Sequence, residues 1–325
     1  MRITTKKRIA YVHGWIVLLA LTAISVKANA QALVPGTGTV IADVGDDFED
    51  PAWEYNPQLP KVFNHEDTTI SKNSPLGRSV NDRWYEGSKR GQPDLVRRVE
   101  TPVGGLSGST AALAIRSMQT GGSRPSNQQQ QDDLIANVHE KMGRIAVSQA
   151  PSVVTRVWLP PIEQWEQRSG CHFAFRIALE TNTTHTAGRG LFRQASSSDE
   201  DGVYWPGFFL NREIQRDPTG KTAGTDRLYF WMKADSDSRR LNGPEITTLG
   251  WWTLGMSVTP DGQVHYFAKP GIDDLTAQDH VASSFPFGYR AARFRSFFYN
   301  VCNGDDGRTW STEFIVDDPK VFVLR

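Results

Sequence analysis

Residues 251–271 read WWTLGMSVTPDGQVHYFAKPG, and they decide the fold. Two runs, 252–259 and 263–269, alternate large apolar with smaller or polar side chains, the period of two that belongs to a strand. Pro260-Asp261-Gly262 separates them, and Asp-Gly supplies the backbone dihedrals of a tight hairpin turn. Trp252, Leu254, Met256 and Val258 fall on one side of the first run, and Trp251, Thr253 and Ser257 on the other. One side is thus suited to a core, and the other leaves a second surface to be explained.

The same pattern extends outward. Residues 111–117, 152–159, 172–180, 203–211, 227–234, 294–302 and 311–324 (in two pieces) are rich in β-branched and aromatic side chains and are separated by Gly, Pro, Asp and Asn. They predict short strands. A single short amphipathic stretch near 134–141 predicts a helix. Many strands without alternating helices mean a sandwich or barrel, not a parallel α/β sheet. Residues 46–100 carry Pro51, Pro57, Pro60, Pro75 and Pro93 and predict a mostly irregular wrap. The Gln run within 120–133 predicts a solvated loop.

Five stretches carry a family resemblance: DDFEDPAWEY (46–55), SVVTRVWLPP (152–161), DRLYFWMKAD (226–235), the opening quotation and FIVDDPKVFVL (314–324). Together they resemble the concanavalin A-like, or laminin-G-like, jelly-roll superfamily across most of residues 46–325. The resemblance implies an all-β fold, a jelly-roll β-sandwich of two antiparallel sheets with an irregular N-terminal wrap, forming one domain. It also implies a polysaccharide context, since the superfamily includes lectins, carbohydrate-binding modules, glucanases and polysaccharide lyases. Jelly rolls of this kind often join their first and last strands through a structural Ca2+. Hard oxygen donors suit that ion, and Asp47, Glu49 and Asp318 are the expected ligands.

The first 30 residues have the three parts of a secretory signal peptide: a basic start (Arg2, Lys6, Lys7, Arg8), an apolar run over 15–24 and Ala28-Asn29-Ala30 before the cut. The apolar run is about ten residues against the roughly 20 of a membrane span, so no stable anchor is expected. The location is secreted or periplasmic, and 31–45 reads as a flexible leader. Removing 1–30 takes away five of the 36 Lys and Arg and no acid, leaving 31 against 36 Asp and Glu, a formal charge of −5. An acidic surface argues against nucleic acid as a partner. An oxidising compartment would favour a disulfide between Cys171 and Cys302, the alternative being two buried thiols.

Strand alternation then separates candidate ligand faces. In 171–180, Cys171, Phe173, Phe175, Ile177 and Leu179 read as core, leaving His172, Arg176 and Glu180 opposite. In 227–233, Tyr229, Trp231 and Lys233 oppose a core set. In 153–159, Arg156 and Trp158 do the same. Rings stack on sugar faces and Arg forks grip carboxylates, so these residues predict a groove for an anionic polysaccharide. In a β-elimination at a uronic acid, Arg176 would neutralise the carboxylate and His172 or Tyr229 would serve as base or acid. Arg156, Trp158, Trp231 and Lys233 would bind substrate. The alternative is a non-catalytic carbohydrate-binding or adhesion protein with the same groove. Glycoside hydrolysis needs two flanking carboxylates, and the E-x-D-x-x-E pattern of the glucanase branch is missing; Glu163 and Glu166 are the nearest cluster.

Overall fold

The structure is a computed structural model that describes residues 31–62, 76–120, 124–182, 202–216, 219, 226–234 and 239–324. The signal-peptide segment 1–30 lies outside the described residues. Among the described residues the strands are, in chain order, β1 (Thr39–Gly45), β2 (Tyr55–Asn56), β3 (Arg78–Ser79), β4 (Trp84–Glu86), β5 (Leu95–Glu100), β6 (Ala111–Arg116), β7 (Gln130–Ala136), β8 (Ile145–Ala146), β9 (Ser152–Leu159) and β10 (Gly170–Glu180). There follow β11 (Val203–Tyr204), β12 (Gly207–Glu213), β13 (Arg227–Lys233), β14 (Arg240–Glu245), β15 (Gly250–Val258), β16 (Val264–Pro270), β17 (His280–Ser284), β18 (Arg293–Asn303) and β19 (Phe314–Val323).

They form two antiparallel sheets. The first runs β17-β16-β15-β9-β19-β6-β5, with β1 added to β19. The second runs β14-β13-β12-β10-β18-β7-β4-β3-β2, with β11 on β10 and β8 on β18. Late strands thread between early ones: β19 lies between β9 and β6, and β18 between β10 and β7. This is the jelly-roll sandwich that the concanavalin A-like resemblance implies.

The core lies between the sheets and is built from the alternating apolar sets. Val153, Val157, Trp252, Leu254 and Met256 come from the first sheet, and Phe173, Phe175, Phe230, Phe297 and Tyr299 from the second. Trp84 is fully buried. Its ring stacks on Tyr299 with centroids 5.5 Å apart and meets the Phe297 edge at 5.6 Å. The Tyr299 hydroxyl crosses the sandwich to Thr155 Oγ1 at 2.7 Å, satisfying a buried polar group that would otherwise be costly. The hairpin turn forms as its sequence demands: Gly262 N donates to Thr259 O at 2.8 Å. Gly262 has φ +81°, and a Cβ there would come within 2.6 Å of Ala291 O.

Several expectations change. β1 lies inside the stretch expected to be a flexible leader, because it pairs with β19. β5 lies in the expected irregular wrap and pairs with β6. The helix is a single turn at His139–Met142, and β7 (130–136) takes in the end of the expected Gln loop and the first three residues of the expected helix. Asp132, Leu134 and Ala136 face inward there, and the residues between them face outward, so a polar run still has strand periodicity. The last two strand pieces are one strand with an irregularity at Asp317/Lys320, where Asp318 has φ 48°. Among the described residues, no helix is long and apolar enough to cross a membrane.

One buried histidine supplies a pH prediction. His265 on β16 is 1 % exposed. Its Nε2 lies 2.8 Å from Thr259 Oγ1, which is 2.6 Å from Asp261 Oδ1, and its Nδ1 lies 2.7 Å from Ser283 Oγ. An ionised Asp261 only accepts, so Thr259 donates to it and accepts Nε2–H, leaving Nδ1 to accept from Ser283. Burial, with His280 adding its charge, pushes the His265 pKa down to about 4. A depressed histidine stabilises the fold at neutral pH, and that stabilisation is lost as pH falls from the unfolded value through about 4. Relative to His265→Gln, the wild type is expected to lose about 2 kcal/mol between pH 7 and pH 4, solvent near Ser283 screening part of the full shift. Denaturant unfolding of both proteins across that range checks it, and a constant difference would refute it.

Candidate functional site

A cleft of about 490 Å³ opens on the outer face of the second sheet. Alternation brings Arg176 of β10, Phe298 of β18, Asp133 and Ile135 of β7 and Tyr85 of β4 to its floor and near wall. The loop after β4 rises over one side. Gly87 N donates to Asp133 O at 3.2 Å, and Asp133 N donates to Gly91 O at 3.0 Å, so the loop stands on β7 and lifts Lys89 and Arg90 beside the cleft. Gly91 has φ +70°, and a Cβ there would lie 2.3 Å from Val62 O; the tight return requires glycine. Trp205, His139 and Arg295 complete the rim.

Arg176 is half-buried at the centre. Its Nε and Nη2 donate to Trp205 O at 3.0 and 2.6 Å, and its Nη1 donates to Asn300 Oδ1 at 3.2 Å. The guanidinium carbon lies 5.2 Å from the Phe209 ring centre and 5.3 Å from that of Phe298. Burial pushes the Arg176 pKa down to about 10, with Asp133 opposing and Arg90 adding to the fall, so it stays charged at neutral pH. Asn300 Nδ2 donates in turn to Asp133 Oδ1 at 2.5 Å. Burial raises the Asp133 pKa, opposed by the Gln131 hydrogen bond and by the Arg90 and Arg176 charges. Desolvation also raises that of Tyr85. Lys89, Arg90, Arg176 and Arg295 thus share a cavity in which Asp133 is the one carboxylate among the described lining residues, so the formal charge of that described lining is positive.

The structure separates the residues that the sequence grouped. Arg176 is in the cleft. Tyr229, Trp231 and Lys233 share its sheet face but sit on β13, beyond β12. Trp231 is no free platform. Phe209 covers one side in parallel, with centroids 4.1 Å apart, and Arg240 lies 4.5 Å from the ring centre. Tyr229 carries Arg227 at 4.8 Å, and Lys233 lies over Phe287 at 5.1 Å. Arg156 and Trp158 belong to the opposite sheet. Arg156 is tied to Asp318 at 3.2 Å and Asp274 at 2.7 Å, and Trp158 packs on Trp251 and Ile315.

His172 is displaced by a bulge. The register of β10 on β12 shifts between Cys171 and Phe173, and the imidazole is fully buried with its centroid 5.2 Å from that of Trp165. Its nitrogens meet Thr312 Oγ1 at 3.2 Å and Arg168 O at 3.1 Å. Burial and the Arg168 charge hold its pKa well below the usual imidazole value. It therefore takes no part in the cleft. The same bulge brings Cys171 to Cys302. Both are buried free thiols, with sulfurs 3.9 Å apart rather than the roughly 2.05 Å of a bond.

The expected calcium ligands do not converge. Asp47 accepts from Glu49 N in its own turn. Glu49 accepts from Thr110 N at 2.8 Å and Ala111 N at 3.1 Å. Asp318 holds Arg156 and, at 2.7 Å, Lys320. Their oxygens already serve N–H groups and cations, so this donor set does not fit a shared hard cation. Among the described residues, no three His, Cys, Asp or Glu side chains gather around one point that could hold a metal.

Sequence reasoning missed Tyr85, Arg90, Asp133, His139, Trp205, Arg295 and Asn300. The available signal was the alternation of Gln131, Asp133 and Ile135 against Asp132 and Leu134.

No family model and no curated protein matches the chain. Solved structures similar to it include the carbohydrate esterase of Shiga toxin-encoding bacteriophage phi24B, at 10 % identity over 75 % of this chain and 91 % of that one, with a TM-score of 0.40. An alginate lyase from Pseudomonas aeruginosa is 11 % identical over 66 % of this chain and 83 % of its own, with a TM-score of 0.37. The lectin UEA-II, complexed with galactose, is 9 % identical over 72 % of this chain and 100 % of its own, with a TM-score of 0.35.

Proposed function

We propose that this protein binds an acidic polysaccharide, a uronic-acid polymer, in the cleft over Arg176. The domain expected over 46–325 is read as also including β1, which pairs with β19, and as belonging to a secreted or periplasmic protein. The observation that carries the reading is the cleft's composition: a central guanidinium held between two rings, with Arg90, Lys89 and Arg295 around it and Asp133 as the acid among the described lining residues. Guanidinium N–H groups not used by Trp205 and Asn300 can donate to a carboxylate. Tyr85 and Trp205 offer ring surface beside them.

A second reading, polysaccharide lyase activity, is favoured by Tyr85 and His139 lining the same cavity as Arg176. In a β-elimination a base takes the C5 proton, the C4–O bond breaks, a double bond forms between C4 and C5 and an acid protonates the leaving oxygen. Arg176 would neutralise the carboxylate, and Tyr85 and His139 would share the proton transfers. The non-catalytic alternative uses the same cleft without those transfers.

Calorimetry with alginate, polygalacturonate and a neutral glucan tests the binding reading. Acidic polymers are expected to bind, more weakly at higher salt, and the neutral glucan is not. Failure of every acidic polymer would end the proposal. Ultraviolet absorbance of an unsaturated product, lost in Tyr85→Phe with binding retained, would support elimination. Binding without product on any bound polymer would favour the lectin-like alternative.

A further inference from the structure

We infer that the cleft has a second anion subsite, formed by Arg144, Arg293 and Arg295 around Glu180, and that its ligand carries acidic groups on successive parts of one chain. This rests on the cleft reading above. Glu180 ends β10, on the same outer face as Arg176 and four residues away, about 13 Å by strand rise. Arg144 Nε lies 2.9 Å from Glu180 Oε1, Arg295 Nε 3.4 Å from the same oxygen and Arg293 Nη1 3.6 Å from Oε2. Among the described residues, three guanidiniums around one carboxylate leave a formal excess of two positive charges.

The cluster is continuous with the cleft. Arg295, Ala178 and Val203 line the cavity, and Val203 is the cross-strand partner of Glu180. The placement of Arg295 is built in. β18 carries it as an extra residue opposite the Ala178–Leu179 step, so that Ala178 pairs with Ser296 and Leu179 with Phe294. Such a bulge re-aims a side chain, and here it sends a third cation outward beside Ser296. The Glu180 side chain is 9 % exposed, whereas those of Arg144 and Arg293 are 41 % and 47 % exposed. The acid is consumed inside the cluster while the bases keep N–H groups toward solvent. An ion network that only closed the end of the sheet would gain little from exposed cations beyond the one that balances Glu180. A ligand with a single acidic sugar would use Arg176 alone, but a linear polyuronate reaches both subsites.

The test is the chain-length dependence of binding, measured by calorimetry with uronate oligomers from disaccharide to hexasaccharide, derived from alginate and polygalacturonate. The wild type is expected to gain about tenfold in affinity, near 1.4 kcal/mol, once the oligomer spans both subsites. In an Arg144→Gln/Arg293→Gln variant the ratio of long- to short-oligomer affinity should fall toward one. Arg295 remains there to neutralise Glu180, and a second variant that adds Glu180→Gln guards against a folding defect. An unchanged ratio in both variants, or no length step in the wild type, would overturn the subsite while leaving the cleft reading in place. Failure of every oligomer to bind the wild type would overturn both.

Discussion

Lys61→Met is expected to cost about 3–5 kcal/mol of stability, the usual consequence of removing one partner from a buried ion pair. Lys61 is 3 % exposed and Asp132 is fully buried. The Lys61 ammonium lies 2.7 Å from Asp132 Oδ2 and 2.8 Å from Asp94 Oδ1, and it also donates to Gln92 O and Gln119 O. Asp132 faces inward from β7, where burial raises its pKa and Lys61 is the largest opposing influence. Without the ammonium, Asp132 must ionise alone in the interior or take a proton. A carboxyl raised further binds its proton more tightly folded than unfolded, so the variant's deficit should grow as pH rises. Urea unfolding at pH 5 and pH 7.5 reads both the size and the sign. Adding Asp132→Asn should recover much of the loss, since the second change removes the stranded charge while a side-chain oxygen can still accept from Ser117 Oγ, which now lies 2.7 Å from Asp132 Oδ2. A deficit below about 1 kcal/mol, ordinary for an exposed pair, would contradict this account.

The fold was legible because its signals are local. Alternation in 252–259 and 263–269 and the Asp-Gly turn between them specify a hairpin without reference to the rest of the chain, and β15 and β16 form it. The sets that alternation places opposite Arg156, Tyr229/Trp231 and Thr253, namely Val153/Val157, Leu228/Phe230/Met232 and Leu254/Met256, lie in the core. What alternation does not encode is which sheet a strand joins. Arg156 and Arg176 both oppose core sets, yet β9 and β10 belong to different sheets, so one arginine enters the cleft and the other binds Asp318 on the far side. Nor does alternation survive an extra residue. One register shift beside Cys171 turned His172 inward, and another made Arg295 face out. The cleft also depends on β7 and on β4, which pairs with it, and the other partner of β7 is β18, whose Asn300 comes 167 residues after Asp133. That pairing is a tertiary fact, and no window of sequence contains it.

Arg176→Met is expected to weaken binding of an acidic polysaccharide by about 100-fold, the scale of a charge-assisted contact with no replacement nearby. The substitution keeps an unbranched stem between Phe209 and Phe298, so the packing changes less than the charge. Arg176→Lys should recover only part of the loss. A compact ammonium cannot reach Trp205 O and Asn300 and still present a planar fork to a carboxylate. Arg156→Gln is the informative contrast, because both arginines looked equivalent in the sequence and only Arg176 lies in the cleft. Its removal breaks ion pairs to Asp274 and Asp318 and is expected to lower stability without changing affinity. Calorimetric titration of all three variants against one acidic polymer, alongside their unfolding curves, separates lost binding from lost folding. Equal affinities for Arg176→Met and the wild type would move the ligand off this face. An Arg156→Gln variant that stays folded but binds weakly would place the ligand on the opposite sheet.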